Sequence, residues 1–170
     1  MADTKGATNE LADRWILDPG SNTHVINSEA WSGWIREREA SANETIGAGT
    51  GRIRITAWGR VAVMANTPRG VEGLVLTHVA LVEGFITSVI GLARCRAIGV
   101  HFDSGRDRLY RVSPQTVVAN LEYNGGHWLV DADPTKRPLR SQLRSLGTSY
   151  RPSIVAKVDQ RISADTAHLI

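Results

Sequence analysis

The sequence predicts an all-β fold, and three observations predict it. Short apolar segments recur every ~8–12 residues from Trp15 to about Val130, separated by Gly, Pro, Asn and Asp. The longest, Arg52–Ala65, places Ile53, Ile55, Ala57, Val61 and Val63 on alternate positions, with Arg52, Arg54 and Arg60 on the other face. Only one segment reads as helix. A hydrophobic fraction of 42% over 170 residues is enough for one packed domain with tails, and the chain is too short for two large domains.

Residues 1–12 are polar and read as a disordered tail. The domain spans 13–132. Its first strand, Trp15–Leu17, runs into Asp18-Pro19-Gly20, which is good turn chemistry: Asp first, Pro pre-setting φ, Gly free to take positive φ. His24–Asn27 follows, centred on Val25-Ile26. Glu44–Ile46 leads into Gly47-Ala48-Gly49-Thr50-Gly51, a glycine-rich stretch that a nucleotide-binding loop also shows. Such a loop must open a helix, whereas the residues after Gly51 alternate with period two, so these glycines belong at a hairpin tip. Arg52–Ala65 and Gly73–Leu81 are the long strands. Thr87–Ala97, "TSVIGLARCRA", is the helical segment. Gly99–Phe102 and Leu109–Val112 flank the polar link Asp103-Ser104-Gly105-Arg106, which is hairpin chemistry. Thr116–Glu122 and His127–Asp131 complete the series. From 133 to 170 the texture changes to a proline-containing, basic linker.

Several function classes lose support. No apolar run reaches the ~18–20 residues that span a bilayer, so no membrane association is expected. The single cysteine, Cys95, rules out an internal disulfide and reads as a small buried hydrophobe. His24, His78, His101, His127 and Cys95 lack paired ligand spacing, so no metal and no cofactor is expected. His24 reads as a polar rim position, and Trp31, Trp34 and Trp58 as core or interface anchors. Net charge is only +3, yet Lys136 to Arg161 holds seven Lys or Arg against one acid, Asp159. That segment reads as a solvated linker, with weak contact to RNA phosphates as its functional alternative.

Asp18 and Asp103 each open an Asp-x-Gly sequence. Aspartic proteases need two carboxylates close enough to share one proton, one acting as base on water and the other as acid. Both could come from one chain, but Asp103 sits in a hairpin link and no apolar segment follows it as Val25-Ile26 follows Asp18. On its own, Asp18-Pro19-Gly20 reads as an ordinary turn.

Taken in order, these features resemble the retropepsin-like aspartic protease domain of a copia-type retrotransposon polyprotein. The family opening, Trp-x-x-Asp-Ser-Gly-Ala-(Ser/Thr)-x-His, is matched by Trp15, Asp18, Gly20 and His24 at the same spacing. The glycine-bearing flap hairpin is matched by Ile46 to Val63. The run "HVALVEGFITSVIGLARC", His78 to Cys95, resembles the family's next element, with Glu83 where proline is usual and Val89-Ile90-Gly91 as the segment that crosses behind the catalytic loop. Gly99, Phe102 and Asp103 match a later element. The resemblance covers about Trp15 to Asp131, and the terminal "SADTAHLI" resembles the entry to the segment preceding an integrase zinc-binding module.

The resemblance implies a retropepsin-like closed β-barrel or sandwich with a flap hairpin and one lobe per chain. It implies an endopeptidase that acts as a homodimer on its own polyprotein, in a cytoplasmic virus-like particle. Asp18 would be the catalytic residue of each chain, Pro19, Gly20 and Ser21 its loop, Gly47, Ala48, Gly49, Thr50 and Gly51 the flap, and Val89, Ile90 and Gly91 the loop behind. One departure stands out. The family places Ser or Thr after the aspartate, where its hydroxyl braces the two catalytic loops, and Pro19 has neither hydroxyl nor backbone N–H. Asp-Pro-Gly resembles the form found in fungal copia-type elements. The rival reading is a catalytically inactive or domesticated domain that dimerises or binds partners.

Overall fold

The computed structural model describes residues 11–113 and 115–132, which form a mostly β structure with one short helix. Nearly all of the expected N-terminal tail, and the whole basic segment 133–170 with its candidate RNA contact, lie outside the described residues. The elements in chain order are β1 (Trp15–Asp18), β2 (His24–Ile26), β3 (Ile35–Glu39), β4 (Thr45–Ala48), β5 (Gly51–Arg54), β6 (Ala57–Thr67), β7 (Gly70–Leu81) and β8 (Ser88–Gly91). Then come α1 (Leu92–Ala97), β9 (Val100–Asp103), β10 (Arg108–Arg111), β11 (Thr116–Asn120), β12 (Glu122–Asn124) and β13 (His127–Leu129).

One sheet runs in the order β12-β13-β1-β8-β2-β7-β6-β11-β10-β9, with β3 paired onto β6, while β4 and β5 form a ribbon of their own. The sheet curls into a half-barrel. Its two ends meet through side chains: Trp128 of β13 donates to Asp107 Oδ1 at 2.9 Å and packs edge-on against Phe102 of β9 at 4.9 Å between ring centroids. Backbone also joins the β13 end to the middle of the sheet: Asp131 bridges antiparallel to Ala65 of β6, and the Ala132 N–H bonds Met64 O at 2.6 Å.

Inside the sheet β1 runs parallel to β8 in the register Trp15↔Ser88 to Asp18↔Gly91, and β2 lies between β8 and β7. Because successive residues of a strand point to opposite faces, these strands feed two apolar clusters. Trp15, Leu17, Ile26 and Ile90 enter one, with Val61, Val63, Leu81 and Leu109. Val25 and Val89 enter the other, with Ile46, Ile55, Trp58 and Val82, and with Ile16 packed against it. Burying a side chain such as Ile26 or Ile90 contributes roughly 1.5–3 kcal/mol. At the lower end of β1 the buried Asp131 carboxylate accepts the Trp15 N–H at 2.9 Å and Arg14 Nε at 2.9 Å, and the Val130 N–H bonds Trp15 O at 2.8 Å. These bonds tie the last described residues to the first strand.

Two local expectations need correction. Thr87–Ala97 is not one helix: Ser88–Gly91 is strand and the helix begins at Leu92. Both faces of β8 are buried, so apolar residues follow one another without alternation, and Val89 and Ile90 are β-branched. Arg52–Ala65 is not one strand: it breaks at Ile55-Thr56, where the chain leaves the ribbon and enters the main sheet, and Ile53 is exposed instead of buried. The sequence also gave no sign of β3, whose five residues are all exposed. Its pairing depends on Gly59, where a Cβ would lie 2.1 Å from Ile35 O.

Candidate active site

Asp18 ends β1, a strand flanked on both sides, and the chain turns sharply after it. Ser21 N–H bonds Asp18 O at 3.2 Å, with Pro19 and Gly20 as the exposed corner residues. The Asp18 carboxylate caps its own turn, accepting the Gly20 N–H on Oδ1 at 2.8 Å. Gly20 does not take the positive φ expected of it; a Cβ there would lie 3.3 Å from Asp18 Oδ1, a tight contact to which the carboxylate would have to yield. The Ser21 hydroxyl donates to Thr23 O at 2.8 Å within the same loop. Asp18 is half-buried and makes no ion pair among the described residues.

Behind this loop lies Gly91, the register partner of Asp18. A Cβ on Gly91 would lie 2.4 Å from Thr23 O and 2.9 Å from Ser21 O, so the loop packs on bare backbone. The Ala93 N–H reaches Ser21 O at 3.4 Å, and the Gly91 N–H donates to His24 Nδ1 at 3.1 Å. His24 is therefore not a rim residue. It is buried, and desolvation first, then the charges of Arg94 and His78, push its imidazole down to about 3. The candidate loop Asp18–Ser21 and the segment Val89-Ile90-Gly91, which lie far apart in the chain, are thus in contact.

The Gly47–Gly51 stretch forms the expected hairpin. β4 and β5 pair from Thr45↔Arg54 to Ala48↔Gly51, and Gly49 at the first tip position takes φ +60°, which a residue with a Cβ resists. Ile46 and Ile55 root the ribbon in the cluster that also holds Val25 and Val89. By strand alternation Asp18 shares the face of Ile16, which packs on that same cluster, so carboxylate and hairpin lie on one side of the sheet.

The hairpin base carries contacts that the sequence did not announce. The Glu44 carboxylate accepts both Arg38 Nη atoms at 2.7 and 3.0 Å and the Ser41 N–H at 2.6 Å, and the Arg38 guanidinium lies 5.3 Å over the Trp58 ring. The bond from Arg38 holds the Glu44 carboxyl down at about 2. The only available signal was opposite charges six residues apart in polar sequence, which is not a recognisable pattern.

Asp103 has the same turn geometry as Asp18 in a different setting. Its Oδ1 accepts the Gly105 and Arg106 N–H groups at 3.1 Å each, at the end of edge strand β9. Arg106 and Arg108 lie 3.9 and 3.6 Å from its Oδ2, so that carboxylate is already charge-paired. Cys95 is buried, and desolvation pushes its thiol up to about 12, which leaves it unreactive near neutral pH. Among the described residues no group of three or more His, Cys, Asp or Glu is placed to hold a metal ion, and no helix is long and apolar enough to cross a membrane. Comparison with protein-family models, curated proteins and solved structures gave no match.

Proposed function

We propose that the protein is a retropepsin-like aspartic endopeptidase that acts as a homodimer, with Asp18 of each chain forming the catalytic pair. The observation that carries this reading is the setting of Asp18. It is a half-buried carboxylate without an ion-pair partner among the described residues, at the end of an interior strand, on a loop packed against Gly91 and on the hairpin's side of the sheet. The chemistry needs two carboxylates, and the described residues offer one in such a setting, because Asp103 is charge-paired at a sheet edge.

Across a twofold axis, like charges at close range leave the two carboxyls sharing one proton. The ionised Asp18 takes a proton from water as the water oxygen attacks the scissile carbonyl carbon. The protonated Asp18 gives its proton to the carbonyl oxygen, and the tetrahedral intermediate collapses as a proton passes to the leaving amine. The Gly47–Gly51 hairpin closes over an extended peptide, whose backbone pairs with strand edges. The substrate is the element's own polyprotein, processed in a cytoplasmic particle.

One observation favours a second reading, a non-catalytic dimerisation or binding domain. Pro19 supplies no hydroxyl, and the neighbouring Ser21 hydroxyl is already engaged with Thr23 O. A scan of peptide cleavage from acid to neutral pH, with and without a statine peptide, separates the two. Statine-sensitive cleavage supports the protease, and silence in a demonstrated dimer supports the binding domain.

A further inference from the structure

Among the described residues His24 is the one buried imidazole in contact with the loop that holds Asp18, and the proposed chemistry does not use it. Its Nδ1 accepts the Gly91 N–H at 3.1 Å, so in the neutral ring the proton sits on Nε2. Gly91 is at once the register partner of Asp18 and the surface on which the Ser21–Thr23 backbone rests. The loop leaves the sheet at Asp18, beside Gly91, and returns to it at His24, bonded to Gly91. One peptide unit thus fixes both ends of the loop.

We propose that His24 is a positioning residue: its imidazole, by accepting the Gly91 N–H, holds the Asp18 loop in the geometry that cleavage requires. This rests on the reading of Asp18 as the catalytic carboxylate. His24 does not touch substrate; it acts through Gly91.

A protonated ring would carry hydrogen on Nδ1, and the Gly91 N–H would face a donor instead of an acceptor. The resulting cation would be buried and would face two further cationic groups, Arg94 from α1 and His78 from β7; β8, Ser88–Gly91, contributes no titratable side chain. His78 sits at a register shift between β6 and β7 with φ +51°, a strained conformation for a residue with a Cβ. Burial first, and then these charges, keep the imidazole neutral down to about 3. The lock therefore stays closed in mildly acid solution.

Two variants test the proposal in the full chain. Asparagine can place Oδ1 where Nδ1 stood and cannot be protonated, whereas leucine fills the space without an acceptor. His24→Leu is expected to lower kcat about tenfold at unchanged KM, as loss of a buried hydrogen bond implies. His24→Asn is expected to restore most of that loss. Equal kcat for the two variants overturns the positioning role. Ring 15N resonances of His24 in the Asp18→Asn protein give a readout that needs no activity. Nδ1 should stay unprotonated from neutral pH to about pH 4, and titration near the ordinary histidine value of about 6.5 overturns the lock. Absence of cleavage by the wild-type chain defeats the reading of Asp18 together with the positioning role. Wild-type cleavage with no difference between the variants defeats the positioning role alone.

Discussion

Asp18 and Gly91 stand side by side on parallel strands, and the missing side chain of the glycine is what allows the loop after Asp18 to fold back on the sheet. The relationship joins two segments that the sequence separates widely, and it has a direct consequence for mutation.

Gly91→Ala is expected to damage the loop. The new Cβ would meet Thr23 O at 2.4 Å and Ser21 O at 2.9 Å, both backbone atoms that no rotamer change can move aside. Overpacking of this kind costs about 1–3 kcal/mol. Urea unfolding should show a lower midpoint at constant slope, and cleavage should fall with it. An unchanged midpoint would mean that the loop yields freely.

Stability should fall as the solution is acidified from neutral. His24 has a folded-state value depressed from 6.5 to about 3, so in that window the unfolded chain binds the extra proton. Its contribution is full above about 6.5 and drains away as pH falls toward 3. Glu44, depressed from 4.5 to about 2, adds a loss of the same sign at lower pH. Asp131, raised by burial, opposes them: its contribution is present below its ordinary 3.8 and is lost as pH rises through the raised value. Unfolding midpoints between pH 7 and 4 should decline in the wild type and decline less in His24→Asn. Equal slopes would show that His24 titrates alike in the folded and unfolded chain.

Glu44→Gln should loosen the hairpin without unfolding the domain. Arg38 is about half exposed, so the pair is worth no more than ~1 kcal/mol after solvent screening. Hydrogen exchange at Ile46 and Ile53, cross-strand partners in the ribbon, should quicken while the global melting point moves little. Exchange that follows global stability instead would show that ribbon and sheet open together.

Pro19→Ser or Pro19→Thr should tighten the dimer. The Ser21 hydroxyl is engaged within its own loop, so a hydroxyl at 19 would supply the missing brace between subunits. A hydrogen bond of this type is worth about 0.5–1.5 kcal/mol, and a symmetric dimer gains it twice, roughly tenfold or more in affinity. Sedimentation equilibrium checks this directly. A weaker dimer would make the rigid φ of proline the adaptation.

Much of the β architecture could be read in the sequence because turn residues and period-two alternation are local signals. Trp15–Leu17, the β9–β10 hairpin and the Gly47–Gly51 tip were all legible in that way. β3 was not, because all five of its residues are exposed and its place is set by a close approach to Gly59. β8 misled because a strand buried on both faces has no alternation to read. Of the candidate site, Asp18 and Gly91 could be singled out as separate motifs, while the contact between them follows from strand register. The burial of His24 was hidden for the same reason: a polar residue near a turn gives no sign that a backbone N–H 67 positions later needs an acceptor.

The central claim, that Asp18 is the catalytic carboxylate, is tested most directly by cleavage of a peptide from the polyprotein by purified Asp18→Asn. Asparagine keeps an Oδ1 that can accept the Gly20 N–H, so the loop and fold should persist while the ionisable oxygen is lost. With circular dichroism and sedimentation matching the wild type, cleavage should fall to background. Full activity in that variant would contradict the account.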